Sequence, residues 1–221
     1  MDLALFDLDE TIISEDSTGL WLHWLVSQGF APVDILQKEQ VLMSQYYQGT
    51  LSMEEYMDTT LAPLTGLATS TVSGWIRRFI QRDIVPRVYP AARERIAWHQ
   101  QRGDTVMLIS ASGEHLVAPI AQRLGADCAL AIGVEVIDGR YSGKLFGPLT
   151  YKDGKVDCIN RWLSQNSARQ FEKVWAYSDS INDLPMLKYA DYSHVVNPGE
   201  TLLEVAQERG WPVCRWTHQT S

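Results

Sequence analysis

Two aspartates near the start of the chain, Asp7 and Asp9, have the residue type and spacing that most directly indicate chemistry. They follow a short apolar run, residues 3–6, which lacks helical spacing and is typical of a buried parallel strand. Side chains two residues apart point to the same side of a strand, so the two carboxylates would be crowded. Crowding is unfavourable unless a cation lies between them or one stays protonated. The pair therefore indicates a divalent metal ion with a carboxylate nucleophile, although short acidic motifs also cap helices.

Two later segments have the composition of an anion site. Ser110 and Ala111 follow the strand-like run 106–109 and precede a predicted helix, where a hydroxyl and small-residue amides can hold phosphate oxygens. An ordinary Ser/Gly helix cap is the alternative interpretation. Lys155 lies at a predicted helix start, where the helix dipole disfavours a cation, so a bound anion would explain its presence. A lone surface lysine remains the other possibility.

A second acidic cluster follows the strand-like run that ends at Ser178. It contains Asp179, Asn182 and Asp183. Two carboxylates and an amide at a turn between a strand and a helix are oxygen ligands of the kind that a hard cation binds. We therefore predict that this cluster supplies further ligands to the metal ion expected beside Asp7.

The elements that must position these residues alternate along the chain. Strand-like runs at 105–109, 173–177 and 194–196 are separated by segments with helical spacing at 91–101, 114–124, 155–163 and 201–206. Residues 130–146, with an Asp-Gly turn at 138–139, indicate a small hairpin. Alternating strands and helices predict an α/β fold with a parallel sheet covered on both faces.

Residues 13–83 contain no convincing strand run and repeat aromatic, Met and Leu residues at helical spacings. We expect about four helices here, inserted after the first strand and lying over the carboxyl ends of the strands, where ligands bind in open α/β sheets. The predicted organisation is a core of residues 1–12 and 84–221 and a helical cap of residues 13–83.

Composition excludes several classes of protein. The chain has 221 residues, 45% of them hydrophobic, and a formal net charge of −8 without any basic run, so nucleic acid is not an expected partner. No apolar run approaches the length of a membrane span, and we expect no signal peptide before the first strand. Three widely spaced cysteines are typical of reduced thiols, so we expect a cytoplasmic protein. The expected oligomeric state is a monomer or a homodimer.

In their order along the chain, these motifs resemble those of the haloacid dehalogenase superfamily. The most specific parts are F-D-L-D-E-T at the N-terminus and Y-S-D-S-I-N-D-L-P-M-L near the end. The helical insertion after the first motif resembles the C1 cap of the phosphoserine phosphatase-like branch, subfamily IB. The G-K-V around Lys155 and the closing V-N-P and G-W-P-V are most similar to bacterial histidinol-phosphate phosphatases of this superfamily.

The resemblance implies a Rossmann-like core and specific roles for the motif residues. Asp7 would be the nucleophile that forms an aspartyl-phosphate, and Asp9 the general acid and base. The Asp7 carboxylate, the main-chain carbonyl of Asp9 and Asp179 would hold Mg²⁺. The remaining roles are phosphoryl binding by Ser110, Ala111 and Lys155, and outer positions for Asn182 and Asp183, which would orient ligand waters and Lys155.

The cap departs from the phosphoserine phosphatases, and the departure bears on the substrate. No arginine lies between Tyr46 and Met57, where those enzymes carry one for the substrate carboxylate. Asp16 lies where they carry a glutamate near the substrate amine, although it could equally be the N-cap of the first cap helix. We therefore expect a phosphatase of a small phosphomonoester, with histidinol phosphate the preferred candidate. Phosphoserine, phosphoryl transfer to an alcohol and a non-catalytic binding protein are the alternatives.

Overall fold

The strand that carries the first aspartate motif lies at the centre of the sheet. A computed structural model of the protein describes residues 1–218 and contains, in that range, one sheet with the strand order β4-β3-β2-β1-β5-β6-β7. Neighbouring strands are parallel except for β3 and β4. The strands are β1 (Leu3–Phe6), β2 (Thr105–Gly113), β3 (Cys128–Ile137), β4 (Arg140–Phe146), β5 (Val174–Ser178), β6 (Tyr192–Val196) and β7 (Val213–Cys214).

Four helices lie between β1 and the helix that leads into β2, as the spacing of apolar residues predicts. They are α1 (Ser17–Ser27), α2 (Asp34–Tyr47), α3 (Met53–Leu61) and α4 (Thr69–Phe79). The helices of the sheet region are α5 (Pro90–Gln101), α6 (Glu114–Leu124), α7 (Asp153–Gln165), α8 (Leu184–Tyr189) and α9 (Glu200–Arg209). Short 3₁₀ turns occupy Ala62–Leu64, Val85–Arg87 and Ile181–Asp183, and a π-helical turn occupies Ile80–Ile84.

The two faces of β1 contribute to two different apolar cores, which is why its sequence is hydrophobic throughout. Leu3 and Leu5 pack in a core on one side of the sheet, with Ile159 of α7. Ala4 and Phe6 face the other side, in a larger core that continues into the helices between β1 and α5. Alternate residues of a strand point to opposite faces, so a strand buried on both sides must be apolar at every position.

The helical region leaves and rejoins the sheet region at one point. Ile13 and Val88 form an isolated antiparallel bridge there, which brings the two connecting segments side by side. The division into a cap of residues 13–83 and a core of residues 1–12 and 84–221 stays a prediction, and residues 219–221 of that core lie outside the described range. Within residues 1–218, none of the helices has the length and apolar character needed to cross a membrane.

Two parts of the sheet differ from the pattern expected from the sequence. β2 does not end at Ile109 but continues through the Ser-Ala-Ser-Gly segment to Gly113, with an irregular register against β3. The predicted hairpin is present, and its first strand also pairs in parallel with β2. The short β7 beside β6 carries too few residues to give a recognisable pattern in sequence.

Candidate active site

A tight turn after β1 presents the two N-terminal aspartates. The carbonyl oxygen of Leu8 accepts hydrogen bonds from the backbone N–H groups three, four and five residues later, at 3.3, 2.9 and 3.2 Å. Glu10 has a φ angle of 57°, in the left-handed region that few residues other than glycine adopt. The turn therefore leaves Asp7 at the end of the strand and holds Asp9 in the loop just beyond it.

Asp7 is buried and hydrogen-bonded through both carboxylate oxygens. Its Oδ1 accepts from Lys155 Nζ at 2.8 Å, and its Oδ2 accepts from Thr11 Oγ1 at 3.0 Å. Burial raises the pKa of Asp7 to about 7, because the loss of water and the nearby Asp183 and Asp9 outweigh the lowering effect of Lys155. The two hydrogen bonds thus hold the carboxylate in one orientation. The positive charge of Lys155 compensates its negative charge only in part.

Lys155 supplies the buried positive charge next to Asp7. Its Nζ donates to Asp7 Oδ1 at 2.8 Å, to Asp183 Oδ2 at 2.7 Å and to the carbonyl of Ile109 at 3.2 Å. Burial alone would lower the pKa of Lys155, but the carboxylates of Asp183 and Asp7 raise it above its usual range. An ammonium group has three donors, so all of them are engaged within the protein.

Asp9 connects the turn, the end of β2 and the first cap helix. Its Oδ1 accepts the backbone N–H of Ser17 at 2.6 Å, and Ser17 is the first residue of α1. Its Oδ2 accepts from Ser110 Oγ at 3.0 Å and from Ser112 Oγ at 2.8 Å. These hydrogen bonds, from the cap on one side and from β2 on the other, fix both the position and the orientation of Asp9.

Asp179 and Asp7 approach the same hydroxyl group. Thr11 Oγ1 lies 2.8 Å from Asp179 Oδ1 and 3.0 Å from Asp7 Oδ2, and it also accepts the backbone N–H of Asp179. A hydroxyl has one proton and can satisfy only one of these carboxylates at a time. Burial, followed by the charge of Asp7, raises the pKa of Asp179 well above its ordinary value.

These two carboxylates fit a magnesium ion by the chemistry of their donor atoms. Within residues 1–218 no group of three Asp, Glu, His or Cys side chains gathers as a metal site. Mg²⁺ usually keeps several water ligands and needs only one or two protein carboxylates, so the pair of Asp7 and Asp179 is sufficient. A divalent cation would also remove the repulsion between the two carboxylates.

The remaining predicted residues occupy two different positions. Asp183 Oδ2 accepts from Lys155 Nζ and from Ser178 Oγ at 2.8 Å, and therefore holds the lysine in place. Asn182 is not in contact with that lysine, since its Nδ2 donates to the carbonyl of Tyr46 in the cap at 3.2 Å. Asn182 thus connects the acidic loop to the cap.

The end of α2 is attached to the core above the acidic cluster. We call residues 46–49 the α2 tip. Four hydrogen bonds join it to the core. They are Asn182 Nδ2 to the Tyr46 carbonyl at 3.2 Å, Tyr47 OH to Glu10 Oε2 at 3.1 Å, Lys152 Nζ to the Gly49 carbonyl at 2.7 Å, and one between Tyr46 OH and Ser180 Oγ at 3.5 Å. The cap thereby covers the carboxyl ends of the strands, as predicted from the position of the insertion.

A small cavity separates the cap from the aspartates, and we call it the catalytic cavity. It is lined by Asp7, Asp9, Glu10, Asp16, Met43, Tyr46, Leu51, Met53, Tyr56, Ala111, Ser112 and Asp179. Its volume is about 30 Å³, which is room for one or two water molecules. A phosphomonoester is larger than this, so the catalytic cavity must widen before a substrate can bind.

The structure contains the helix cap that is expected for Asp16, and the contact of Asp16 with a substrate stays a prediction. Its Oδ2 accepts the backbone N–H of Gly19 at 2.5 Å, so it is the N-cap of α1. The same side chain lines the catalytic cavity, where burial and the charge of Asp9 raise its pKa well above the ordinary value. A helix cap facing the cavity is compatible with contact to a substrate.

Two residues of the site did not follow from the sequence reasoning. Thr11 bridges the two acidic loops, and Ser112 donates to Asp9. Both had a signal in the sequence: Thr11 closes the F-D-L-D-E-T motif, and Ser112 follows Ser110 by two residues and so shares its face of β2.

Comparison with known proteins decides the family. A model described as haloacid dehalogenase-like hydrolase matches residues 4–188. The chain belongs to this family. A histidinol-phosphatase of Neisseria meningitidis serogroup C (strain 8013) is 33% identical over 218 residues, which are 96% of this chain and 97% of that protein. The phosphoserine phosphatase SerB1 of Mycobacterium tuberculosis (strain ATCC 25618 / H37Rv) is 30% identical over 95% of this chain and 69% of that protein.

The fold has a close match among solved structures. A Bordetella pertussis Tohama I protein of unknown function superposes with a TM-score of 0.89 at 32% identity, over 97% of this chain and 98% of the other. Together these similarities place the chain in the phosphoserine phosphatase-like branch, as an α/β phosphatase of the haloacid dehalogenase-like hydrolase family.

The bridging hydroxyl leads to a prediction about the pair of Asp7 and Asp179. Thr11→Val removes the hydroxyl but keeps the shape, so we expect phosphatase activity to fall by about 10- to 100-fold, as for other groups that orient metal-binding carboxylates. The concentration of Mg²⁺ that gives half-maximal rate should rise. Thr60→Val is the matched control, because this buried threonine donates only to a carbonyl within the cap. Equal activities in the two variants would contradict the role of Thr11.

Proposed function

We propose that the protein is a Mg²⁺-dependent phosphatase that hydrolyses histidinol phosphate through an aspartyl-phosphate intermediate. One observation carries the proposal. Asp7 lies at the end of the central strand, held by Lys155 and Thr11, with Asp9 two residues later on a separate set of donors. Two carboxylates in different environments are suited to different roles in one reaction.

Asp7 is the nucleophile in this mechanism. The hydrogen bonds from Lys155 and Thr11 fix its carboxylate, so little conformational freedom is lost when an oxygen attacks phosphorus. The attack forms a bond between the carboxylate and phosphorus, and the bond from phosphorus to the ester oxygen of the substrate breaks. Lys155 neutralises charge beside the nucleophile throughout.

Asp9 acts as the general acid and then as the general base. In the first step it gives a proton to the ester oxygen that leaves. In the second step it takes a proton from the water that attacks the aspartyl-phosphate, which releases phosphate and restores Asp7. The donors on its two oxygens, Ser17 from the cap and Ser110 and Ser112 from β2, keep it directed at the catalytic cavity.

Asp7, the main-chain carbonyl of Asp9 and Asp179 would hold the Mg²⁺. The ion supplies charge neutralisation to an anionic substrate that must approach a cluster of carboxylates. The phosphoryl oxygens would be bound by the end of β2, where Ala111 lines the cavity, and by Ser110 and Lys155. Contact with Lys155 requires that its bond to the Ile109 carbonyl, the longest of its three at 3.2 Å, is exchanged for a phosphoryl oxygen.

The cap supports a substrate with an amine and without a carboxylate. Among the described residues, those that line the catalytic cavity include five carboxylates and no lysine or arginine. A substrate carboxylate buried there would lack a cationic partner, which costs several kcal/mol. Asp16 offers its carboxylate to an amine, and the Neisseria relative carries the name of a histidinol-phosphatase. Histidinol phosphate has an amine and no carboxylate, whereas phosphoserine has both groups.

Replacement of the nucleophile should abolish turnover. In Asp7→Asn the amide can neither attack phosphorus nor carry the negative charge, so kcat should fall by more than about a thousandfold. The measurement is phosphate release from p-nitrophenyl phosphate at saturating Mg²⁺. Asp138→Asn, an exposed turn position, is the control and should retain wild-type activity. A tenth of wild-type activity in Asp7→Asn would exclude this mechanism.

Removal of the metal ion should abolish phosphatase activity reversibly. EDTA should abolish activity and added Mg²⁺ should restore it. Ca²⁺ should not, because it takes more ligands at longer distances and would misalign the attacking carboxylate. Asp179→Asn should need a higher Mg²⁺ concentration for half-maximal rate. Full activity of the metal-free enzyme after exhaustive chelation would contradict the assignment.

Histidinol phosphate should be preferred over L-phosphoserine in kcat/KM. Asp16→Ala should raise KM for histidinol phosphate far more than for p-nitrophenyl phosphate, which has no amine. If Asp16 were only the cap of α1, the two substrates would be affected alike, through a loss of stability of about 1 kcal/mol. Equal kcat/KM values for the two natural phosphomonoesters would leave a general phosphatase without this specificity.

A further inference from the structure

Glu39 is a buried residue of the cap whose carboxylate has no hydrogen-bond or ion-pair partner in the part of the chain that the structure describes. It lies on α2 and is 7% exposed, yet within residues 1–218 its side chain makes neither a hydrogen bond nor an ion pair. Burying a carboxylate in this way is unfavourable unless something compensates it. Glutamate is among the residues that are seldom buried alone, so this position calls for an explanation.

The carboxylate of Glu39 and that of Asp16 face the same small space. A side-chain carbon built on Gly19 would lie 3.1 Å from Asp16 Oδ2 and 3.3 Å from Glu39 Oε1. The absence of a side chain at residue 19 therefore keeps open the gap between two oxygens that come from different helices of the cap. Such a gap between two acceptors suits a group that donates several hydrogen bonds.

The space in front of Glu39 adjoins the catalytic cavity. A groove of about 290 Å³ is lined by Asp16, Gly19, Glu39 and Met43, among other residues, and both Asp16 and Met43 also line the catalytic cavity. His23 lies on the exposed side of this groove and makes no ion pair with Glu39. Within the described chain no lysine or arginine lines either space, so a ligand that carries a cation would supply positive charge that these residues lack.

The energetics of the two carboxylates agree with this geometry. Burial raises the pKa of Glu39, and burial together with Asp9 and Glu39 raises that of Asp16. Burial thus disfavours the ionised form of both carboxyl groups, and a positively charged ligand bound between them would favour it. The aromatic ring of Tyr56, buried at the same cavity, offers a further surface that attracts cations.

We propose that Glu39 is a specificity residue, which together with Asp16 binds a protonated nitrogen in the alcohol part of the substrate. The inference rests on the proposed phosphatase function and extends it, because it states how the cap distinguishes one phosphomonoester from another. Substrates whose leaving alcohol carries an ammonium or a protonated imidazole are selected. Those whose alcohol is neutral or anionic lose this contact.

The experiment measures kcat and KM for a series of phosphomonoesters that differ in one group. The series is histidinol phosphate, its analogue without the amine (3-(imidazol-4-yl)propyl phosphate), its analogue with phenyl in place of imidazole, and p-nitrophenyl phosphate. The variants are Glu39→Gln, which keeps the shape and removes the charge, and Glu39→Asp, which keeps the charge. Glu54→Gln, an exposed glutamate on α3, is the matched control.

Glu39→Gln should raise KM for histidinol phosphate by about tenfold or more, the effect of losing one charge-assisted hydrogen bond, with kcat little changed. The KM for p-nitrophenyl phosphate should stay within about twofold. The increase should vanish for the analogue without the amine if Glu39 binds the ammonium, and for the phenyl analogue if it binds the ring. Glu39→Asp should recover part of the loss, and Glu54→Gln should match the wild type.

An equal change for all four substrates would overturn the proposal, because it would show that Glu39 only supports the cap. No change for any substrate would also overturn it. That result would mean that Glu39 contributes no more than a neutral glutamine does, and therefore offers no negative charge to the substrate. Gly19→Ala is a second variant that does not depend on removing a buried charge. Alanine favours the helix, so a selective loss with histidinol phosphate at an unchanged or raised Tm would point to the gap itself.

Binding of histidinol, measured by calorimetry, separates this inference from the proposed function. Histidinol lacks a phosphate and needs neither Asp7 nor the metal. If p-nitrophenyl phosphate is not hydrolysed, the catalytic proposal fails while histidinol binding still tests Glu39. If p-nitrophenyl phosphate is hydrolysed but the wild type and Glu39→Gln bind histidinol equally, the inference about Glu39 fails alone.

Discussion

The ammonium group of Lys155, set between two buried carboxylates, is the interaction on which the architecture of this protein depends. It contacts Asp7 at the end of β1, Asp183 in the loop after β5 and the main-chain carbonyl of Ile109 within β2, and it comes from the start of α7. Removing one partner of such a buried set leaves an uncompensated charge and costs about 3–5 kcal/mol. The central strands and α7 must therefore meet at one point, which fixes the edge of the sheet where chemistry takes place.

That one cation does not balance the acidic groups around it. Asp7 and Asp179 share a hydroxyl, Asp9 depends on neutral donors, and Asp16 and Glu39 in the cap have no basic partner within the described chain. The protein as a whole carries a net charge of −8, so distant residues do not supply the missing positive charge. The uncompensated negative charge lowers the stability of the folded protein, and ligands that bring positive charge raise it again. Active sites that are arranged to bind charged ligands are expected to lower the stability of the ligand-free protein in this way.

The parts of the fold that could be predicted from the sequence are those set by short-range patterns. The apolar run before Asp7, the helical spacing of residues 13–83 and the acidic cluster at Asp179 each reflect a local rule, and each element lies where the rule places it. Contacts between distant segments could not be predicted. Thr11 meeting Asp179, and Glu39 meeting Asp16 across Gly19, depend on how the cap and the loops pack. The extent of β2 was missed for a related reason, because the pairing of Gly113 with β3 follows a shift in register after Ile109.

The attachment of the α2 tip sets a time scale for the enzyme. Its four hydrogen bonds to the core contribute about 1 kcal/mol each, so the tip should be detached in roughly one molecule in a thousand at equilibrium. A minor state of that size is large enough to admit ligands without a dedicated opening signal. Helix and lid motions of this type take place in microseconds to milliseconds, which sets an upper bound on the rate at which an alcohol product can leave. The alcohol that the cap holds most tightly would then also be the one that leaves most slowly.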